Sequence, residues 1–178
     1  MDEWVERVDE QDQASAVVLR GEAVRLGLLH RVAVTVCRDR DGRILVHRRS
    51  ERLSRFPGHY EVGVGGAVTA GESYEEAAIR ELAEELGVRA SVRFVTKFLN
   101  RSGLSPHWLG IHEAVIPVEV SPDHNEVVWH AWLAESELLR FMDQQLFTPD
   151  SGRVVDRYFT GVRPGPPTTG PAPRRPLS

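Results

Sequence analysis

The sequence runs to 178 residues with a formal charge of −4 and 41% hydrophobic residues, enough to bury one sizeable core without disulfide staples. That balance carries no basic excess to suggest bulk nucleic acid as a partner, and no apolar run approaches the span of a bilayer. Cys37 is the single cysteine, which excludes an intrachain disulfide and makes a reducing, cytoplasmic setting the expectation. The opening residues Met1 to Glu6 have neither the positive region nor the apolar core of a secretory signal.

Trp4-Val5-Glu6-Arg7-Val8, a polar turn at 9–12 and Ala16-Val17-Val18-Leu19 predict a hairpin at a sheet edge. Arg20 to Leu29 reads as a connector or short helix. Val32 to Cys37 and Arg43 to Arg49 flank the turn signal Asp39-Arg40-Asp41-Gly42 and predict a second hairpin. Cys37 within it reads as a small buried side chain. After an arginine-rich loop ending in Phe56-Pro57-Gly58, residues 60–64 predict a short strand feeding Gly65-Gly66, where glycine lets the backbone approach a ligand closely. Further strands are predicted over 89–99, 107–120 and 126–133. A helix is predicted from 134 to about 142, and Thr148-Pro149, a cap followed by an N1 proline, starts a last helix to about 159. Glycine and proline dominate 161–178, so the expected organisation is one domain over 1–160 and a disordered tail over 161–178. Strands, a central helix, more strands and then helices predict a mixed α/β layer fold rather than a Rossmann ladder.

The stretch that organises the chain is 66–88. Ser73-x-x-Glu76 is a capping box that starts a helix, and Leu86-Gly87 ends it, because glycine takes the left-handed conformation at no steric cost. Ala78, Leu82 and Leu86, flanked by Ile79 and Ala83, form the buried stripe. Glu81, Glu84 and Glu85 lie off it and converge on one patch. Like charges one turn apart cost about a few tenths of a kcal/mol and raise one another's pKa unless a cation sits among them. A hard divalent ion taking oxygen ligands removes the penalty; the alternative for a lone Glu-x-x-Glu-Glu is a solvated acidic face. The surrounding pattern decides between them. Residues 66–88 read G-x5-E-x7-R-E-U-x-E-E-x-G-U, with U apolar, and resemble the signature of the Nudix hydrolase family at every fixed position: Gly66, Glu72, Arg80, Glu81, Leu82, Glu84, Glu85, Gly87 and Val88. The resemblance implies an α/β/α sandwich with a mixed β-sheet and the motif helix packed on it.

It also implies metal-dependent hydrolysis of a diphosphate linked to another moiety X, such as a nucleoside diphosphate linked to X. Glu81, Glu84 and Glu85 would bind Mg²⁺ or Mn²⁺ with help from a backbone carbonyl near Gly65 or Gly66. Arg80 belongs to the catalytic motif and would pair with Glu72 to hold the loop on the helix. Glu113 and Glu126 are the candidates for a further acid from beyond the motif. Outside the motif, His30-Arg31, Arg48-Arg49, Phe56-Pro57-Gly58-x-Tyr60 and Gly65-Gly66 resemble the subgroup that includes isopentenyl diphosphate isomerase and its hydrolase relatives. Where that isomerase carries a reactive Cys and a metal-binding His, this sequence has Gly65 and Ala67, so hydrolysis is favoured over isomerisation. His30 matches a ligand of the isomerase whose companion is absent here, which favours a structural role. Arg48 and Arg49 point to opposite sides of a strand, so at most one faces the site; Arg49 is favoured for the diphosphate, by the resemblance and because a guanidinium fork suits phosphate oxygens. Tyr60, Phe56 and Trp108 are candidate walls for X. The expected partner is a small-molecule diphosphate, without nucleic acid or membrane, and a homodimer is left open. The competing readings are an isomerase of the same fold and a non-catalytic nucleotide-sensing module.

Overall fold

The computed structural model describes residues 3–103 and 105–162. Strands β1 (Trp4–Val8) and β2 (Ala14–Leu19) pair as an antiparallel hairpin, followed by helix α1 (Arg20–Leu26), which ends at the left-handed Gly27. The hairpin is a sheet of its own rather than an edge of the main one. The hairpin and α1 dock through Val5 and Ala23, which pack on Ala67, and through Ala70 N, which donates to the Trp4 carbonyl at 2.8 Å.

The main sheet has seven strands: β3 (Arg31–Arg38), β4 (Ile44–Arg49), β5 (Tyr60–Val62), β6 (Val64–Ala67), β7 (Arg93–Asn100), β8 (His107–Val115) and β9 (Val127–Leu133). The turn expected at Asp39–Gly42 forms, with Asp39 Oδ1 accepting from the amides of Asp41 (3.0 Å) and Arg43 (2.8 Å). The hairpin it was expected to close does not extend. Only Arg38 pairs with Ile44, after which β3 takes β8 in parallel and β4 takes β9 antiparallel. The diverging strands are spanned by 60–67, which is broken at Gly63 (φ 92°) rather than continuous. Its first half pairs with β4 and its second with β3. A side chain at 63 would strike Val34, so this crossover needs glycine twice over.

Helix α2 (Tyr74–Leu86) carries both predicted caps: Glu76 N donates to Ser73 Oγ (3.2 Å), Ser73 N donates to Glu76 Oε2 (2.8 Å), and Gly87 is left-handed (φ 66°). It buries Leu82 and Leu86 against Cys37, Leu45, Val64 and Ala114 on one face of the sheet. Helices α3 (Glu135–Gln144) and α4 (Pro149–Val162) cover the other face, where Leu138, Val154 and Tyr158 meet Val36, Val46, Val62 and Ile111. The result is the expected three-layer α/β/α sandwich. Strand β7 starts at 93 rather than 89 because Ala90 and Val92 pack under α2 instead of pairing; β8 stops at 115, just ahead of Pro117, which has no amide to donate. Cys37 is buried and free, as expected. The expected tail lies, from 163 onward, outside the described residues. No helix of the described residues is long and apolar enough to cross a membrane.

Candidate active site

Arg80 is the hub of the motif. Its Nε donates to Glu72 Oε1 (3.0 Å), and its Nη2 donates to Glu72 Oε2 (3.1 Å) and to the Ala67 carbonyl (3.0 Å). Glu72 also accepts from the Thr69 amide (3.0 Å) and hydroxyl (2.9 Å), so the turn is stitched to α2 by the charge pair read from the sequence. Burial raises the Glu72 carboxyl, but the Arg80 and Thr69 bonds outweigh it and hold the group below the ordinary carboxylate range. The second amino group of Arg80 reaches Glu81 Oε1 (2.7 Å) and Glu84 Oε2 (3.3 Å).

Beyond this hub a cleft of about 560 Å³ gathers Glu81, Glu84 and Glu85 from α2 and Glu126 from the loop before β9. Gly65 and Gly66 line it as well. A Cβ at 66 would land on the Glu81 carboxylate, so glycine is what lets that acid lie against the strand. Arg20 from α1, Arg49 from the end of β4 and Arg55 from the loop after it enter the same cleft. Burial and then the charges of Glu61, Glu81 and Glu126 push Glu85 well above the ordinary range, with Arg49 only partly offsetting them. Glu81 is raised too, by burial first, against the opposing pull of Arg80.

Such hard oxygen donors, with more negative charge than the chain itself balances, are the set a divalent cation such as Mg²⁺ or Mn²⁺ uses. Among the described residues no three His, Cys, Asp or Glu side chains already stand as a ligand cage. The fit is therefore one of donor type and charge, with Glu81 held by Arg80 as the structure stands.

The other sequence candidates separate cleanly. Arg49 faces the cleft, donating to Glu61 Oε2 (2.9 Å) and to the Arg55 carbonyl (3.2 and 3.1 Å). Arg48 points away, to the Gly58 carbonyl (3.0 Å) and to Glu51. It does not line the cleft, as strand alternation requires. Tyr60 is corrected as well: it lies edge-on to Trp129 and Phe141 in an aromatic cluster under α3 and lines no part of the cleft. Trp108 donates to the Asp9 carbonyl (3.0 Å). Phe56 lines a smaller cavity beside the cleft. Glu113 accepts from Tyr158 and from Arg93 (2.8 Å), with Arg38 at 3.4 Å, and does not line the cleft, whereas Glu126 does.

Glu61, Arg20 and Arg55 were not singled out from the sequence. Glu61 accepts from Arg49 and from His47 Nε2 (3.3 Å); burial raises it, yet the His47 bond and the Arg49 charge hold it below the ordinary range. Its signal was available in strand alternation: Tyr60 and Val62 face the α3–α4 core, which sends Glu61 to the side occupied by Glu85.

An α/β/α sandwich whose motif helix aims unbalanced acids into a cleft shared with three arginines defines a class of enzyme acting on phosphorylated substrates with divalent metal. The Nudix domain family matches residues 28–158, and the chain belongs to it as a Nudix hydrolase. It is similar to an uncharacterized Nudix hydrolase of Streptomyces coelicolor, 41% identical over 152 residues that cover 84% of each chain. It is also similar to the uncharacterized Nudix hydrolase YfcD of Escherichia coli K12, 34% identical over 86% of this chain and 84% of that one. The crystal structure of DR0079 from Deinococcus radiodurans superimposes with a TM-score of 0.77 at 30% identity, covering 88% of this chain and 99% of that one. Nudix hydrolases generally cleave the pyrophosphate bond of nucleoside diphosphate derivatives and need divalent cations, typically Mg²⁺.

Proposed function

We propose that this protein hydrolyses the diphosphate of a small molecule, a nucleoside diphosphate linked to X, with Mg²⁺ or Mn²⁺ held by Glu81, Glu84 and Glu85. The observation that carries the reading is one cleft holding both those acids and Arg20, Arg49 and Arg55. When bound, the cation neutralises diphosphate oxygens and makes a water more acidic. The arginines supply the remaining positive charge, and their planar forks orient the phosphates. Arg80 keeps the turn at 69–72 and Glu81 in place. Glu126 forms no ion pair among the described residues, and it is the acid outside the motif that receives the proton of the attacking water. Gly65 and Ala67 stand where an isomerase of the resembling subgroup needs a thiol and an imidazole, which favours hydrolysis; Ala67 is also fully buried. The single buried thiol and the family's small-molecule substrates fit a cytoplasmic enzyme. The test is phosphate release from a panel of nucleoside diphosphate derivatives with Mg²⁺ or Mn²⁺. The wild type should turn over at least one, and Glu85→Gln should be slower by about a hundredfold or more. Equal rates for the two proteins would end this reading.

A further inference from the structure

Beside the cleft lies a second, smaller cavity of about 150 Å³ that shares Arg20, Arg49, Arg55, Gly65 and Gly66 with it. A group joined to a diphosphate seated among those arginines has this recess next to it. Its walls are of two kinds: Val32, Val34, Val62 and Leu109 from the sheet, and a polar end built by His30, His107 and Asp150.

His30 is 3% exposed, with Nδ1 3.1 Å from the Leu28 carbonyl. A carbonyl only accepts, so Nδ1 carries the proton. Burial, against the opposing Leu28 bond, lowers the ring to about 4 and keeps it neutral. Nε2 is then an acceptor, and no described residue donates to it. His107 differs, since its Nδ1 donates to the Ser105 carbonyl (2.9 Å) and its Nε2 accepts from Asn100 Nδ2 (3.3 Å). Asp150 Oδ1 accepts from Asn100 Nδ2 (2.7 Å) and Ser102 Oγ (3.2 Å), while Oδ2 has no donor among the described residues. Two acceptors thus stand at a partly apolar recess, with no donor among the described residues bonded to either atom.

We propose that this cavity seats X, and that it selects an X of about one ring in size whose hydroxyl or amine donors are read by His30 and Asp150, over a bare hydrocarbon of equal size. This rests on the diphosphate reading above. A cavity near 150 Å³ holds about one six-membered ring, less than a second nucleoside requires. A hydrocarbon would strip water from both acceptors and leave them unpaired. Sites that hydrogen-bond a substrate hydroxyl reject the analogue lacking it far more strongly than apolar pockets sort methylenes.

The experiment compares kcat/KM, with Mg²⁺, for nucleoside diphosphate esters of a pentose, of a hydroxyl-free cyclopentylmethyl group and of a second nucleoside. The wild type should favour the pentose ester over each of the others by about tenfold or more. His30→Leu should bring the pentose-to-cyclopentylmethyl ratio toward one, and His30→Gln, which keeps an acceptor, should restore part of it. Asp150→Asn, which puts a donor in the acceptor's place, should also lower the ratio and carries the test if His30→Leu does not fold. Equal cleavage of the pentose and hydroxyl-free esters, a preference for the second nucleoside, or a ratio unmoved in these variants overturns the inference and leaves diphosphate hydrolysis standing. No cleavage of any ester, nor of the wider nucleotide panel, overturns the reading beneath it.

Discussion

Glu113 and Glu85 both read from the sequence as candidate acids, and the chain treats them in opposite ways. Around Glu113 the charges are closed: burial is outweighed by the Tyr158 hydroxyl and the guanidinia of Arg93 and Arg38, which hold it below the ordinary carboxylate range. Around Glu85 they are open, with burial and three other glutamates pushing it up and Arg49 alone opposing. An acid whose charge is already balanced by its own chain stabilises the fold. An acid left unbalanced awaits something the chain does not encode.

The comparison breaks most visibly by removing each charge. Glu85→Gln should lose activity by about a hundredfold to a thousandfold, roughly 3–4 kcal/mol of transition-state stabilisation, while its melting temperature holds or rises because a repelled, buried charge is gone. Glu113→Gln should do the reverse. Turnover should stay near wild type, but stability in a urea titration should fall by about 1–3 kcal/mol, because Arg38 and the buried Tyr158 lose a charged partner. If the two variants exchanged these behaviours, the distinction would be wrong.

Gly66→Ala sharpens the open side without touching a charge. The added methyl must displace the Glu81 carboxylate, so activity should drop by about tenfold to a hundredfold with little change in thermal stability.

His30 tests how far the uncharged side of the site depends on staying neutral. Its folded pKa of about 4 lies below the ordinary histidine value of 6.5, so as pH falls from 6.5 the unfolded chain takes up the proton first. Stability from this group is whole above 6.5 and is lost as pH falls toward 4, by up to about 3 kcal/mol in total. His30→Leu should flatten that part of the curve of stability against pH, read by denaturant titration at each pH. The smallest effect belongs to the arginine pair. Arg49→Ala should raise KM by about tenfold through loss of a phosphate contact, whereas Arg48→Ala, which removes an exposed pair with Glu51, should change stability by less than about 0.5 kcal/mol and KM not at all.

Local signals in the sequence carried most of the fold. The capping box at Ser73, the stop at Gly87, the Asp39 turn and the strand runs all depend on residues a few positions apart, and each appears where expected, give or take a few residues. The motif acids were legible because one helical turn brings them together. The failures were those that need tertiary knowledge. Residues 60–64 read as one strand, because nothing local shows that the chain changes partners at Gly63. Tyr60 read as a wall of the site, although the turn of the strand sends it to Trp129 and Glu61 to the smaller cavity beside the cleft. Arg20, Arg55, His107 and Asp150 come from four separate segments and carry no shared spacing, so only folding collects them.

The family match begins at residue 28, yet Glu3 and Arg20 reach the cleft from before it, joined by an ion pair at 2.6 Å. Their hairpin is clasped to the main body by Asp12, which binds Arg31 Nε (2.7 Å) and Lys97 and receives the Tyr74 hydroxyl (3.2 Å). The segment before the family match is therefore built into the body of the fold and forms part of the cleft wall. A chain that started at residue 28 would lose Glu3 and Arg20 from that wall and leave Arg49 and Arg55 as the cleft's remaining arginines.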